Sequence, residues 1–110
     1  MISFEDVDKA VEYLRSSSKE ASQARANVRY LGEFLKSQKA SLKLSFPGIS
    51  NAAAEDQALA SVEYRDALHG YEAAVEKDAY FQFMREAADA MIRAWQTQQA
   101  TARSEGRAYQ

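Results

Sequence analysis

Pro47 and Gly48 stand side by side near the middle of a chain that otherwise has almost no helix breakers, and this pair dictates where the fold can turn. Pro47 is the only proline in 110 residues, and Gly48 is one of four glycines. Proline cannot continue a helix, and glycine enters the left-handed region at little cost. Residues 45–51 therefore read as a turn, with Ser50 or Asn51 placed to cap the helix after it. A chain with one turn and long breaker-poor flanks has few options: two helical arms folded back on each other.

The flanks carry the matching pattern. Ser3 followed by Asp6 is a capping-box variant. Phe4, Val7, Val11 and Leu14 then step by three and four, which predicts a first helix over about residues 4–15. Ser16, Ser17 and Ser18 interrupt it. Ser17 with Glu20 forms a second capping signal, so a new helix starts near residue 18, with a kink or short break favoured over a loop. From Ala21 the seam Ala24, Val28, Leu31, Leu35, Gln38, Leu42 alternates steps of three and four, a heptad with one polar member, ending near Leu44. After the turn nothing but Gly70 interrupts a helix from about 52 to 102. Its apolar seam runs Tyr64, Leu68, Tyr71, Val75 and resumes as Phe81, Met84, Ala88, Met91, Trp95, with a register shift around residues 77–80. Residues 104–110 read as a frayed tail.

Folded at the turn, the two arms of a single domain over residues 1–103 place Leu42 opposite Ala54, Val28 opposite Leu68, Val7 opposite Ala88 and Phe4 opposite Met91. The expected class is thus all-α: a long antiparallel, coiled-coil-like helical hairpin. A lone two-helix hairpin buries too little to be stable. Tyr80, Phe81, Phe83 and Met84 wrap more than one helical face, more than one partner helix can cover. A homodimer in a four-helix arrangement, with these four residues at the oligomer interface, is the expected solution.

Charge is segregated. The net charge of −2 divides into +4 over residues 21–51 and −6 over residues 52–92, with smaller opposite balances at the two ends. Arg25, Arg29, Lys36, Lys39 and Lys43 lie in the basic segment with Tyr30, Phe34 and Phe46 among them, a mixture suited to single-stranded nucleic acid. The competing reading is structural, since the hairpin puts Arg25 near Glu72, Arg29 near Asp66 and Lys43 near Glu55. Arg93, Arg103 and Arg107 form a second basic patch without a nearby acid in sequence. Trp95, the sole tryptophan, lies at the open end near Ile2, as an end-cap or a partner anchor.

Chemistry is sparse. His69 has Asp66 and Glu72 three residues to either side, but bundle metal sites need matching ligands from other helices, so a surface histidine is expected and no metal or cofactor. There is no Ser/His/Asp arrangement, no glycine-rich phosphate loop and no Gly-x-Ser-x-Gly motif, so no enzyme is expected. The absence of cysteine suits a reducing compartment. No apolar run approaches the ~18 residues that span a membrane, and the N-terminus lacks a signal-peptide pattern.

Several stretches carry a resemblance: Val28-Arg29-Tyr30-Leu31 with Leu35-Lys36 and Ala40-x-Leu42; Ala60-Ser61-x-Glu63-Tyr64 with Ala67-Leu68; then Ala87-Ala88, Ile92 and Trp95-x-Thr97-Gln98-x-Ala100. In order and spacing the chain resembles a group of small helical proteins encoded by phages and prophages among recombination and replication genes. The resemblance covers most of the chain. It implies a phage accessory protein of the bacterial cytoplasm that works through protein–protein contacts, with a phage or host DNA-metabolism protein as partner. The family's C-terminus is richer in arginine; here Gln96, Thr101 and Ala102 stand instead. Secreted hairpins of the WXG class share length and helicity but carry Trp-x-Gly at the turn, where this chain reads Phe46-Pro47-Gly48.

Overall fold

The structure, a computed structural model, describes residues 1–108; positions 109 and 110 of the expected tail lie outside the described residues. Four helices and no strand occur among them: α1 (Phe4–Ser16), α2 (Ser18–Lys43), α3 (Asn51–Ala60) and α4 (Val62–Ala108). The fold class is therefore all-α. The expected fraying from residue 104 is corrected, because α4 continues to Ala108. The chain groups into two compact units, one of Met1–Ala21 with the chain from Tyr80 onward, the other of Ser22–Ala79.

In the first unit α1 opens as the sequence predicts. The Ser3 hydroxyl accepts from the Asp6 amide at 3.1 Å, and the Asp6 carboxylate accepts from the Ser3 amide at 3.1 Å. This closes the capping box and holds the Asp6 carboxyl below its ordinary pKa, chiefly through the Ser3 backbone bond. The contacts run antiparallel. Ile2 N–H donates to Gln98 Oε1 at 3.3 Å, Phe4 meets Trp95 edge to face at 6.2 Å, and Arg85 Nη1 donates to the Leu14 carbonyl at 2.9 Å. The expected partner of Phe4 is thus displaced by about one helical turn, from Met91 to Trp95. The aromatic pair and the arginine bond set this register. Val7, Ala10 and Ala88 are the buried apolar residues of this unit.

The serine triplet contributes one non-helical residue, Ser17, an interruption of the kind expected, with no loop between α1 and α2. The expected capping role of Ser17 does not. Its hydroxyl donates back to the Tyr13 carbonyl at 2.5 Å and accepts from Arg85 Nη1 at 2.8 Å. A serine bonding to the preceding turn bends a helix rather than starting one. The Leu14 carbonyl takes the Ser18 hydroxyl at 2.6 Å as well as Arg85.

In the second unit α2 ends in a tightening turn, with Leu44, Ser45 and Phe46 each donating three residues back. Gly48 has φ +83°, which is where glycine is needed. Ser50 caps α3 by accepting from the Ala53 amide at 3.1 Å. The uninterrupted helix expected from residue 52 is corrected at Ser61. This residue is extended, donates its hydroxyl to the Ala58 carbonyl at 2.6 Å and accepts from the Tyr64 amide at 3.2 Å. It ends α3 and caps α4 at once. The break alters register within the unit. Lys39 pairs with Glu55, yet Tyr71 lies over Gly32. The chain uses far more residues between Glu55 and Tyr71 than α2 uses between Lys39 and Gly32, so α3 does not continue the line of α4.

The α2 seam is buried or half-buried at every position from Ala21 to Leu42. The expected register shift in the last helix is absent. Tyr64, Ala67, Tyr71, Ala74, Asp78, Phe81, Arg85, Ala88, Ile92 and Trp95 alternate steps of three and four without interruption, and all are at least half-buried. Val75, Met84 and Met91, expected on that seam, are exposed. The seam admits Asp78 and Arg85 because each has a partner: Arg25 Nε lies 3.7 Å from Asp78, and Arg85 holds Leu14 and Ser17.

Candidate contact surfaces

Three surfaces collect the residues that the sequence singles out. The first lies on α4 in the first unit. Tyr80, Phe83 and Met84 are exposed, Phe83 by 68%, while Phe81 is half-buried and meets Tyr80 edge to face at 6.0 Å. These four residues therefore divide. Phe81 shares its stripe with Arg85 and Trp95, which touch α1, whereas the other three project away from that stripe. Beside them runs a groove of about 330 Å³ with Ala10 and Ala88 as its floor, Met84 and Met91 on one side and Tyr13 on the other. The Tyr13 hydroxyl is buried without a hydrogen-bond partner.

The second surface belongs to the basic segment. Arg25 is paired with Asp78 rather than Glu72. Lys39, not Lys43, takes Glu55, at 3.0 Å, and this bond holds the Glu55 carboxyl below its ordinary pKa. Lys36 pairs within its own helix with Glu33 at 3.3 Å. Arg29 makes no ion pair among the described residues, so the expected Asp66 contact is not formed. Arg29, Lys36 and Lys39 line a groove of about 450 Å³ together with Tyr64 and Tyr71. Tyr30 and Phe34 are exposed on the same helix. The two groove tyrosines were not singled out by sequence reasoning, because they read as ordinary seam residues.

The third surface is the end of the first unit. Trp95 is half-buried against Phe4, which is itself 70% exposed. Arg93 is tied to Asp89 at 2.6 Å on its own helix, an acid that the sequence reading of the C-terminal basic patch overlooked, as it did Glu105 between Arg103 and Arg107. His69 Nδ1 lies 3.9 Å from Glu72 on an exposed helix face. Among the described residues no group of three or more His, Asp or Glu side chains converges as a metal site. None of the described helices is long and apolar enough to cross a membrane.

These are surfaces of an all-α protein that leaves many large apolar side chains exposed, Met84 and Met91 among them beside a groove. No protein-family model, curated protein or solved structure matches the chain.

Proposed function

We propose that this protein works as a non-enzymatic, self-associating helical accessory protein through protein–protein contacts. In this reading its arms form one antiparallel hairpin that dimerises into four helices. One observation carries it. The buried apolar residues are Val7, Leu35 and otherwise alanines, whereas Phe4, Tyr80, Phe83 and Met84 face outward. Alanine seams let helices approach closely but contribute little transfer free energy, about 25 cal/mol per Å² of a small side chain. Large apolar side chains left outside mark association surfaces. The phage resemblance of the sequence supports a setting among recombination or replication proteins in the bacterial cytoplasm.

The test is affinity capture with the tagged protein from phage-infected cells, beside light scattering on the pure protein. Twice the chain mass and recovery of DNA-metabolism proteins are the expected results. Recovery of a membrane or secretion apparatus with no DNA-metabolism protein would overturn the setting. A folded monomer at micromolar concentration would overturn self-association.

A second reading has its own observation, the groove where Arg29 and Lys36 flank Tyr64 and Tyr71. Single-stranded nucleic acid suits cations beside aromatic rings. Three of the five basic residues already hold carboxylates, which ranks this reading second. Arg29→Glu with Lys36→Glu leaves the Lys39–Glu55 pair untouched and is the cleaner variant. Fluorescence anisotropy at ~50 mM salt should show oligonucleotide binding that this variant abolishes and that falls with salt by roughly 0.7 log units per phosphate contact per tenfold salt. No binding at tens of micromolar protein removes the reading.

A further inference from the structure

We infer that α4 carries a second heptad seam, Tyr80, Met84, Ala87, Met91 and Ala94, and that its occupant is the same seam of a second copy, packed antiparallel about a twofold axis near Ala87. The inference deepens the self-association reading and rests on it. The spacing is four, three, four, three, the step pattern of a coiled-coil stripe. Every member is exposed. The stripe runs directly beside the seam of Phe81, Arg85, Ala88, Ile92 and Trp95, which is buried or half-buried and touches α1 through Arg85 and Trp95. Thus α4 presents two adjacent faces in this segment, and only one has a partner.

The character of the second face selects its occupant. At about 100° per residue, the charged residues Arg85, Glu86, Asp89 and Arg93 all fall outside this stripe, and its neighbours Phe83 and Ala90 are uncharged. On α4 itself, two identical copies can therefore meet here without like charges opposing each other; Asp6 and Lys9 of α1 border the groove alongside. Size decides direction. Ala87 faces Ala87 in either direction, but a parallel pair would also set Ala94 against Ala94, leaving a void at one end, and Tyr80 against Tyr80, crowding the other. The antiparallel pair centred on Ala87 sets Tyr80 against Ala94, a large side chain against a small one at both ends, with Met84 and Met91 of the two copies meeting on either side of a close Ala87–Ala87 approach. Such an isologous contact uses one patch on both partners.

A standard interface takes about 800 Å² from each partner, so the five residues of the stripe need the ground beside them. The groove floored by Ala10 and Ala88 adjoins the seam, so a partner helix seated on Met84 and Met91 also covers it.

The chain has no cysteine, so single-cysteine variants report pairing directly. Under mild oxidation Ala87→Cys should link to itself, since the twofold brings its copies within disulfide range. Ala94→Cys alone should not link, but mixed with Tyr80→Cys it should form the cross-pair. In a second measurement Ala87→Arg should weaken dimerisation at least tenfold while far-ultraviolet circular dichroism still shows a helical fold. Linkage of both Ala87→Cys and Ala94→Cys to themselves would mean parallel packing and overturn the antiparallel order. No linkage at Ala87→Cys in a protein that still dimerises would overturn the seam and leave self-association standing. A monomeric wild-type protein would overturn both.

Discussion

Replacing Arg85 with Met tests whether the bend at Ser17 is held from outside the helix that bends. Arg85 Nη1 donates to the Leu14 carbonyl at 2.9 Å and to the Ser17 hydroxyl at 2.8 Å. Methionine keeps most of the aliphatic stem and removes only the donors. A hydrogen bond from a charged group contributes about 1.5–3 kcal/mol. Neither group is left without a hydrogen bond, because the Leu14 carbonyl still accepts from the Ser18 hydroxyl at 2.6 Å and the Ser17 hydroxyl, though it loses Arg85 as a donor, still donates to the Tyr13 carbonyl at 2.5 Å. The expected loss is therefore about 2 kcal/mol rather than the cost of two orphaned groups. For a chain of this size that is a fall in Tm of about 8 °C. Urea and thermal melts followed at 222 nm, at one fixed protein concentration, give the number. A double-mutant cycle with Ser17→Ala should return a coupling of about 1 kcal/mol. An Arg85→Met protein within about 0.5 kcal/mol of wild type would refute the claim that this arginine holds the kink.

Other single sites carry their own consequences. Gly48→Ala meets no neighbouring atom, so its cost is the left-handed backbone alone, about 1–2 kcal/mol, measurable by urea titration. Tyr13→Phe removes a buried hydroxyl without a partner, and the protein should become more stable, by up to about 1 kcal/mol; a clear loss would show that the hydroxyl has a partner after all. The Asp6 and Glu55 carboxyls both have lowered pKa values in the folded chain. Their stabilisation is present above the unfolded pKa and is lost as pH falls through the folded one, so stability should decline below about pH 4. Glu55→Gln, which loses the charge that Lys39 holds, should flatten that decline.

The sequence announces these helices where local chemistry is decisive. The Ser3–Asp6 box and the proline–glycine turn depend on residues close in the chain, and each stands where its spacing indicates; the serine triplet marks its break in the same way, but the Arg85 bonds there come from a distant segment. Ser61 escapes notice because a lone serine inside an alanine-rich stretch is ordinary; its double capping role exists only once Ala58 and Tyr64 are in place. The α4 seam departs from its apolar pattern for a related reason. Hydrophobicity favours Val75, Met84 and Met91 as inward residues, whereas Asp78 and Arg85 occupy inward positions because partners on distant segments satisfy them. A pattern of apolar residues cannot show such partners. The same pattern conceals the surface of interest, since Met84 and Met91, which it assigns inward, form the uncovered stripe. The ion pairs of the basic segment are legible in kind but not in detail, because the Ser61 break moves Glu55 to Lys39 and Asp78 to Arg25.

Sedimentation velocity of the untagged protein across about 1–100 µM, a range that brackets ordinary dimer affinities, tests the central claim most directly. The account predicts a single boundary at twice the 12.3 kDa of one chain, dissociating only towards the dilute end. A sharp, well-folded monomer throughout that range would contradict it, because a chain content with an alanine core would have no need of the apolar stripe it leaves uncovered.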